Sequence, residues 1–267
     1  MKKLLKALIA CTIVLLSLAG CSKQNNNTPA APKTLLEQIK ERGYITVGTE
    51  GTYFPNSYHD ESGKLVGFDV EVAAVIAKYI GVEARYYETE WASIFTALDS
   101  GKIDTIVNEC GYNEDRAAKY AFSNPYTYVQ GAILTRSDND SIHSLEDLKG
   151  KVAANESTSL LGAMAQEYGA TLDAVNAMAQ SIMEVVNGRA DCTLNYVTSF
   201  AAYMKENPNV DVKIAVLLEA KPTAYIPVVK GNEDLRDAIN DALNKAAASG
   251  ELTDISMKYF GVDVTKG

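Results

Sequence analysis

The chain is poor in the residues that metal centres and many active sites require. It has two histidines and four cysteines in 267 residues. His59 and His143 lie far apart and near no cysteine, so the nitrogen and sulfur donors of a transition-metal site are nowhere gathered. It lacks Gly-x-Ser-x-Gly, His-Glu-x-x-His, Cys-x-x-Cys and a phosphate-loop glycine pattern, so the common sequence marks of a hydrolase, a metalloprotease, a dithiol redox enzyme and a nucleotide enzyme are missing. No cofactor, no metal and no catalysis are expected. Positive charge is also scarce: 25 Lys and Arg stand against 34 Asp and Glu, for a net charge of -9. That balance argues against nucleic acid and against adsorption to anionic lipid. The apolar run Leu4 to Leu18 is too short for an ordinary membrane span.

What the N-terminus does have is a leader. Lys2, Lys3 and Lys6 precede the apolar run, which ends in Leu18-Ala19-Gly20-Cys21. This resembles a bacterial lipoprotein signal over residues 1–20, with acylation of Cys21 and cleavage before it. The mature chain would be extracytoplasmic and held to the membrane by a lipid such as palmitate. An ordinary secretory signal or an uncleaved anchor is the alternative. Residues 21–33, with Asn25 to Asn27 and two prolines, read as a flexible tether. Cys11 and Cys21 belong to the leader, which leaves Cys110 and Cys192. A disulfide is open to an exported protein, but these two fall in different expected lobes and a bridge would staple any hinge. Two free, buried thiols are expected.

The rest alternates between strand and helix patterns. Tyr44 to Glu50 alternates apolar and polar residues as a strand does. A helix follows from about Gly67, with Asp69 as its N-cap and Gly81 as its stop. Val82 to Glu88 is a strand, Trp91 to Ser100 a helix and Ile103 to Val107 a strand. This βαβαβ order predicts a parallel sheet with right-handed crossovers. Gln130 to Arg136 reads as a strand leading to a second lobe. Ser144 to Asp147 resembles a capping box with aspartate in the fourth place. Val152 to Glu156, Cys192 to Tyr196 and Tyr225 to Lys230 read as strands, the last returning the chain to the first lobe. Helices are expected from Ser157 to Tyr168, Ile182 to Asn187, Ser199 to Lys205, Asp234 to Ala248 and Leu252 to Tyr259. The fold class is therefore α/β with two lobes: residues 34–129, then 130–223, then 224–267 back in the first. Each lobe is a sheet flanked by helices, hinged by two crossing strands, with a small ligand between them.

Two segments supply anion-binding chemistry. Lys102 to Arg116 runs from a buried strand into a polar loop at the mouth of a sheet, where open α/β folds bind small molecules. The guanidinium of Arg116 matches a carboxylate, although a surface pair with Glu114 or Asp115 would use it equally well. Ser157-Thr158-Ser159 joins a strand to a helix start, whose free N–H groups and dipole favour an anion; simple capping is the alternative. Tyr53 lies in a loop, as a pocket wall or as a core cap.

Gly67-Phe68-Asp69-Val70-Glu71-Val72 with Ile76-Ala77 is similar to the signature of the bacterial extracellular solute-binding proteins of family 3, the polar amino-acid receptors of ABC importers. The likeness extends through Val47-Gly48-Thr49, Glu90-Trp91, Leu98 to Asp104, Arg116, Ser144 to Gly150, Gly188 to Asp191 and Lys258 to Gly261. The segments around Trp91 and Asn108 most resemble the cystine-binding branch. The resemblance implies a two-lobed periplasmic-binding-protein fold (type II), a monomer that closes on an amino acid and a permease–ATPase partner. It also implies that Arg116 and the turn Ser157-Thr158-Ser159 hold the ligand's carboxylate and that Tyr53 packs on the ligand. Trp91, Asn108 and Glu109 would read its side chain, and Gly111 is a further ligand-binding candidate. Where the family places an ammonium-binding aspartate this chain has Tyr196. The clamp would then move to Glu109, with Tyr53, Trp91, Tyr196 and Tyr112 as cation–π faces. Alternatively Glu109 only pairs with Arg116 and the ligand lacks an α-amino acid group. A surface sensor or adhesin reusing the fold is the competing function.

Overall fold

The computed structural model describes residues 32–266. The leader, Cys11, Cys21 and nearly all of the tether lie outside the described residues. The first lobe opens with α1 (Leu35–Arg42), closed at its start by a capping box in which Thr34 and Glu37 satisfy each other's backbone N–H. Next come β1 (Tyr44–Thr49), β2 (Thr52–Tyr53), β3 (Ser57–His59) and β4 (Leu65–Val66). After these stand α2 (Phe68–Ile80), β5 (Glu83–Glu88), α3 (Trp91–Asp99) and β6 (Thr105–Ile106). β1 lies between β5 and β6, parallel to both, with Val47 opposite Tyr86 and Thr105. The parallel βαβαβ unit is thus present, although its third strand keeps only two of the five expected residues. α4 (Glu114–Lys119) and β7 (Tyr120–Phe122) complete this part.

Asp69 is not the N-cap of α2. Gly67 holds that place, and Asp69 is fully buried inside the first turn, accepting from Tyr126 Oη at 2.7 Å and from Glu109 N at 2.8 Å. The glycine is required: its φ is +138°, and a Cβ there would meet the Asn56 carbonyl oxygen at 2.2 Å.

β8 (Thr127–Arg136) carries the chain into the second lobe. There a single 3₁₀ turn spans Glu146–Leu148; Asp147 Oδ2 accepts from His143 N and Ser144 N, so aspartate supplies the back-reaching half of a capping box. β9 (Val152–Glu156), α5 (Leu160–Glu167), β10 (Thr171–Val175), α6 (Met178–Val186), β11 (Cys192–Tyr196) and α7 (Val197–Glu206) follow. The returning strand is β12 (Val212–Ala224), not Tyr225 to Lys230. It runs antiparallel to β8 from Val212 opposite Arg136 to Ala224 opposite Thr127, with three register shifts. Those irregularities broke the alternation that marks a strand in sequence. The second-lobe sheet has the order β10-β9-β11-β8-β12. β13 (Pro227–Val229) pairs with β7, and α8 (Glu233–Ser249) and α9 (Glu251–Phe260) return to the first-lobe core around Phe68, Ile239 and Leu243. Cys110 and Cys192 are free and buried, as expected.

Candidate functional site

The parallel strands of both lobes point their C-terminal ends at one cleft, where an open sheet leaves room for a ligand. The residue after β1 is Glu50, the loop after β6 carries Asn108, Glu109 and Gly111, β9 ends in Glu156, and β11 ends in Asn195 and Tyr196. With Tyr53, Trp91, Arg116 and Ser159 they enclose a cavity of about 60 Å³.

Arg116 sits at the cleft, with Nη1 donating to Gly111 O at 2.7 Å and Nη2 reaching Thr158 O of the opposite lobe at 2.8 Å. Its guanidinium carbon lies 5.3 Å from the Trp91 ring centre and 4.9 Å from that of Phe95, so the planar cation is stacked as well as bonded. The surface pair with Glu114 or Asp115 does not form. Trp91 is buried in the cavity wall, and its Nε1 has no partner among the described residues.

Glu109 has φ +45°, a strained conformation for a residue with a Cβ. Its Oε1 accepts from Thr127 Oγ1 at 2.9 Å and Thr223 Oγ1 at 3.2 Å, one threonine from each crossing strand. Burial pushes its carboxyl up to about 7. It makes no ion pair with Arg116, so that alternative does not describe the molecule. Asn108 is engaged with its own lobe: Oδ1 accepts from Thr49 Oγ1 and Glu50 N at 2.9 Å each, and Nδ2 donates to Glu50 Oε2 at 2.6 Å. It touches the cavity but chiefly fixes Glu50.

In the second lobe the serine-rich turn divides its labour. Ser159 caps α5 by accepting from Gly162 N at 2.9 Å. Ser157 and Thr158 have exposed side chains and do not line the cavity; Thr158 contributes only its carbonyl oxygen. Leu160 and Leu161, the first two residues of α5 and so the ones whose amides have no partner within the helix, line the cavity, one position later than the sequence suggested. Tyr53 crosses the cleft and packs with the second-lobe core, its hydroxyl donating to Asn195 Oδ1 at 2.7 Å. Asn56 Nδ2 also crosses, reaching Ser199 Oγ at 3.1 Å. Tyr196 lines the cavity. Tyr112 does not: it is half exposed, bonded to Glu114, and offers no face to this cavity.

Sequence reasoning missed Glu50, Asn155, Glu156 and Asn195. Asn155 brackets Leu194, donating to its carbonyl at 2.7 Å and accepting from its amide at 3.1 Å, which locks β9 to β11. Glu50 and Glu156 meet from opposite lobes. Burial, and then the nearby Glu50 charge, push the Glu156 carboxyl up to about 9; burial also raises Glu50. The signal in the sequence is that each acid stands at the C-terminal end of a parallel strand.

The profile of the bacterial extracellular solute-binding proteins, family 3, matches residues 45–262. L-cystine-binding protein TcyA of Bacillus subtilis (strain 168) is 38% identical over 270 residues, covering 100% of both chains. L-cystine-binding protein TcyJ of Escherichia coli (strain K12) is 37% identical over 88% of this chain and 90% of its own. Among solved structures, an ancestral arginine-binding protein bound to arginine is 37% identical with TM-score 0.77, covering 82% of this chain and 99% of its own. The L-cystine solute receptor of Neisseria gonorrhoeae in the unliganded open conformation is 36% identical with TM-score 0.61, covering 88% of this chain and 100% of its own.

Proposed function

This chain belongs to the bacterial extracellular solute-binding proteins, family 3, and from that premise we propose that it is the receptor of an amino-acid ABC importer, anchored outside the membrane through Cys21. Its hinge lies where the chain crosses between residues 34–129, 130–223 and 224–267. It works as a monomer that closes on its ligand, delivers it to a permease–ATPase complex and leaves it chemically unchanged.

The observation that carries the reading is convergence. Arg116 from the first lobe and the free amides of α5 from the second flank the same cavity, with Glu109 also on its wall. A ligand carboxylate placed between guanidinium and amides gains charge-assisted bonds from both lobes, so binding and closure are one event. Its ammonium is served by Glu109, with Tyr53 and Tyr196 as ring faces and Trp91 as a wall. Closing the cleft strengthens each contact by excluding water.

Three acids, Glu50, Glu109 and Glu156, and one arginine line the cavity. That surplus favours a ligand with more than one positive group. Cystine, named for two close relatives, has two ammonium groups and is the first candidate. A basic amino acid is the second reading, favoured by the same surplus. Isothermal titration with cystine, arginine, lysine and glutamine tests both. Heat with cystine but not arginine selects the first, and the reverse selects the second. Silence with every amino acid sinks the receptor reading.

A further inference from the structure

We propose that Asp69 is a positioning residue for the ligand site, holding Glu109 in the left-handed conformation that puts it on the cavity wall; this rests on the reading of Glu109 as part of that site. Asp69 stands in the first turn of α2 but leaves the N-cap of that helix to Gly67. Its own N–H donates to Asn56 O at 2.9 Å. Its fully buried carboxyl is used by a loop 40 residues on, where Oδ2 accepts from Glu109 N at 2.8 Å. Oδ1 accepts from Tyr126 Oη at 2.7 Å, and the Tyr126 ring stacks on Phe68 with centroids 6.1 Å apart. One oxygen is thus fixed by the core, and the other fixes Glu109.

Glu109 needs such a partner. A φ of +45° in a residue with a Cβ persists only where surrounding bonds over-determine it. The flanking residues are held by other elements. Val107 N donates to Gly48 O at 3.1 Å, the Asn108 side chain is bonded to Thr49 and Glu50, and Cys110 O accepts from Tyr225 N at 2.9 Å. The amide of Glu109 itself is held, among the described residues, by Asp69. Without that acceptor the buried N–H is left unpaired and the strained φ is free to relax. Rotation at residue 109 would swing the carboxyl away from Thr127 and Thr223, which bond it at 2.9 and 3.2 Å from the two crossing strands. Tyr126 and Thr127 are consecutive, so the segment that braces Asp69 also holds the tip of Glu109.

The test is a double-mutant cycle, read by calorimetry on the mature chain with whichever of L-cystine and L-arginine binds more tightly. Asp69→Ala is expected to weaken binding at least about fivefold. Asp69→Asn keeps an oxygen for Glu109 N and can donate to Tyr126 Oη, so it should weaken binding less than about twofold. A Glu109→Gly chain takes a positive φ at no steric cost and has no carboxyl to aim; there Asp69→Ala should change affinity less than about twofold. A merely structural aspartate would weaken binding by the same factor in both backgrounds, and that result overturns the proposal. So does unchanged affinity in Asp69→Ala, or an asparagine variant as weak as the alanine one. Should the alanine variants fail to fold, Tyr126→Phe repeats the cycle, since it keeps the ring and releases Asp69 Oδ1. A loss of at least about threefold confined to the chain that keeps Glu109 is then expected, and equal factors overturn the proposal. A Glu109→Gly chain that binds as tightly as the wild type takes Glu109 out of the site, and the proposal falls with that reading, a failure distinct from equal factors in the two backgrounds.

Discussion

Glu156 and Glu50 stand on opposite lobes and come together on the wall of one cavity, where burial, and then the Glu50 charge, push the Glu156 carboxyl up to about 9. Two carboxylates this near cannot both ionise, and the shared proton is what lets them meet. The sign follows from linkage. An acid whose pKa is raised binds more protons in the closed, folded state than in the open or unfolded one, so the stability that the proton contributes is present at low pH. It is lost as pH rises from the ordinary range near 4.5 toward about 9. A ligand ammonium that replaces the proton must expel it. Binding of a ligand with two ammonium groups should therefore release protons near pH 7 and tighten as pH rises from 6 to 8. Titration in buffers of different ionisation heat measures the release. Proton uptake would refute the exchange.

Among the described residues that line the cavity Arg116 is the one cation, and its planar fork suits a carboxylate. Arg116→Ala should weaken amino-acid binding by at least about a hundredfold, in line with the 2–5 kcal/mol typical of truncating a buried charged partner. Arg116→Lys should recover only part, because the ammonium cannot both reach Thr158 O and hold a carboxylate edge-on. Calorimetry on the three proteins checks this, with the melting temperature as a control for folding. Unchanged affinity in the alanine variant would remove Arg116 from the site.

The first-lobe βαβαβ unit was legible because β1, α2, β5 and α3 each keep one period from end to end and stop at glycine or a polar turn. The second crossing strand was not. β12 carries three register shifts against β8, and each shift inverts which residues face the core, so no clean alternation survives over Val212 to Ala224. At the site, Arg116 and Glu109 could be found because a polar loop after an apolar strand is visible in one dimension. The meeting of Glu50 with Glu156, and of Tyr53 with Asn195, depends on how two lobes close and leaves no local mark. The turn at Ser157 to Ser159 was read one position early. The capping residue itself faces its helix, and the free amides begin only after it.

Glu109 links the ligand site to the hinge, since Thr127 and Thr223 lie on the two crossing strands and both bond its Oε1. Glu109→Gln keeps the volume and an acceptor oxygen for the threonines but removes the charge. An amine-bearing ligand should lose about 1–3 kcal/mol of binding, a factor of roughly five to a hundred and fifty. The variant without ligand should be more stable above pH 7. The wild-type carboxyl, pushed up to about 7 by burial, becomes an uncompensated buried charge there, and the amide cannot. Thermal melts at pH 6 and pH 8 measure this; equal melting temperatures for the two proteins at both pH values would contradict it. Tighter amine binding would show that Glu109 serves the hinge alone.

Tyr53 holds the lobes together without depending on charge. Its ring packs in the second-lobe core, and its hydroxyl bonds Asn195 at 2.7 Å, although its backbone belongs to the first lobe. Tyr53→Phe leaves the apolar contact and deletes that bond together with the longer one that Ser199 Oγ donates to the same hydroxyl at 3.3 Å, a typical hydrogen bond being worth about 0.5–1.5 kcal/mol net. Because that bond exists only when the lobes meet, its loss raises the free energy of the closed state and leaves the open state unchanged. Affinity should drop by roughly two- to tenfold for every ligand alike, since apparent affinity scales with the fraction of closed protein. The unliganded protein should also be more open, seen as a larger radius of gyration in small-angle scattering. Loss for one ligand but not another would mean that the hydroxyl touches ligand directly, and the closure role would then fall.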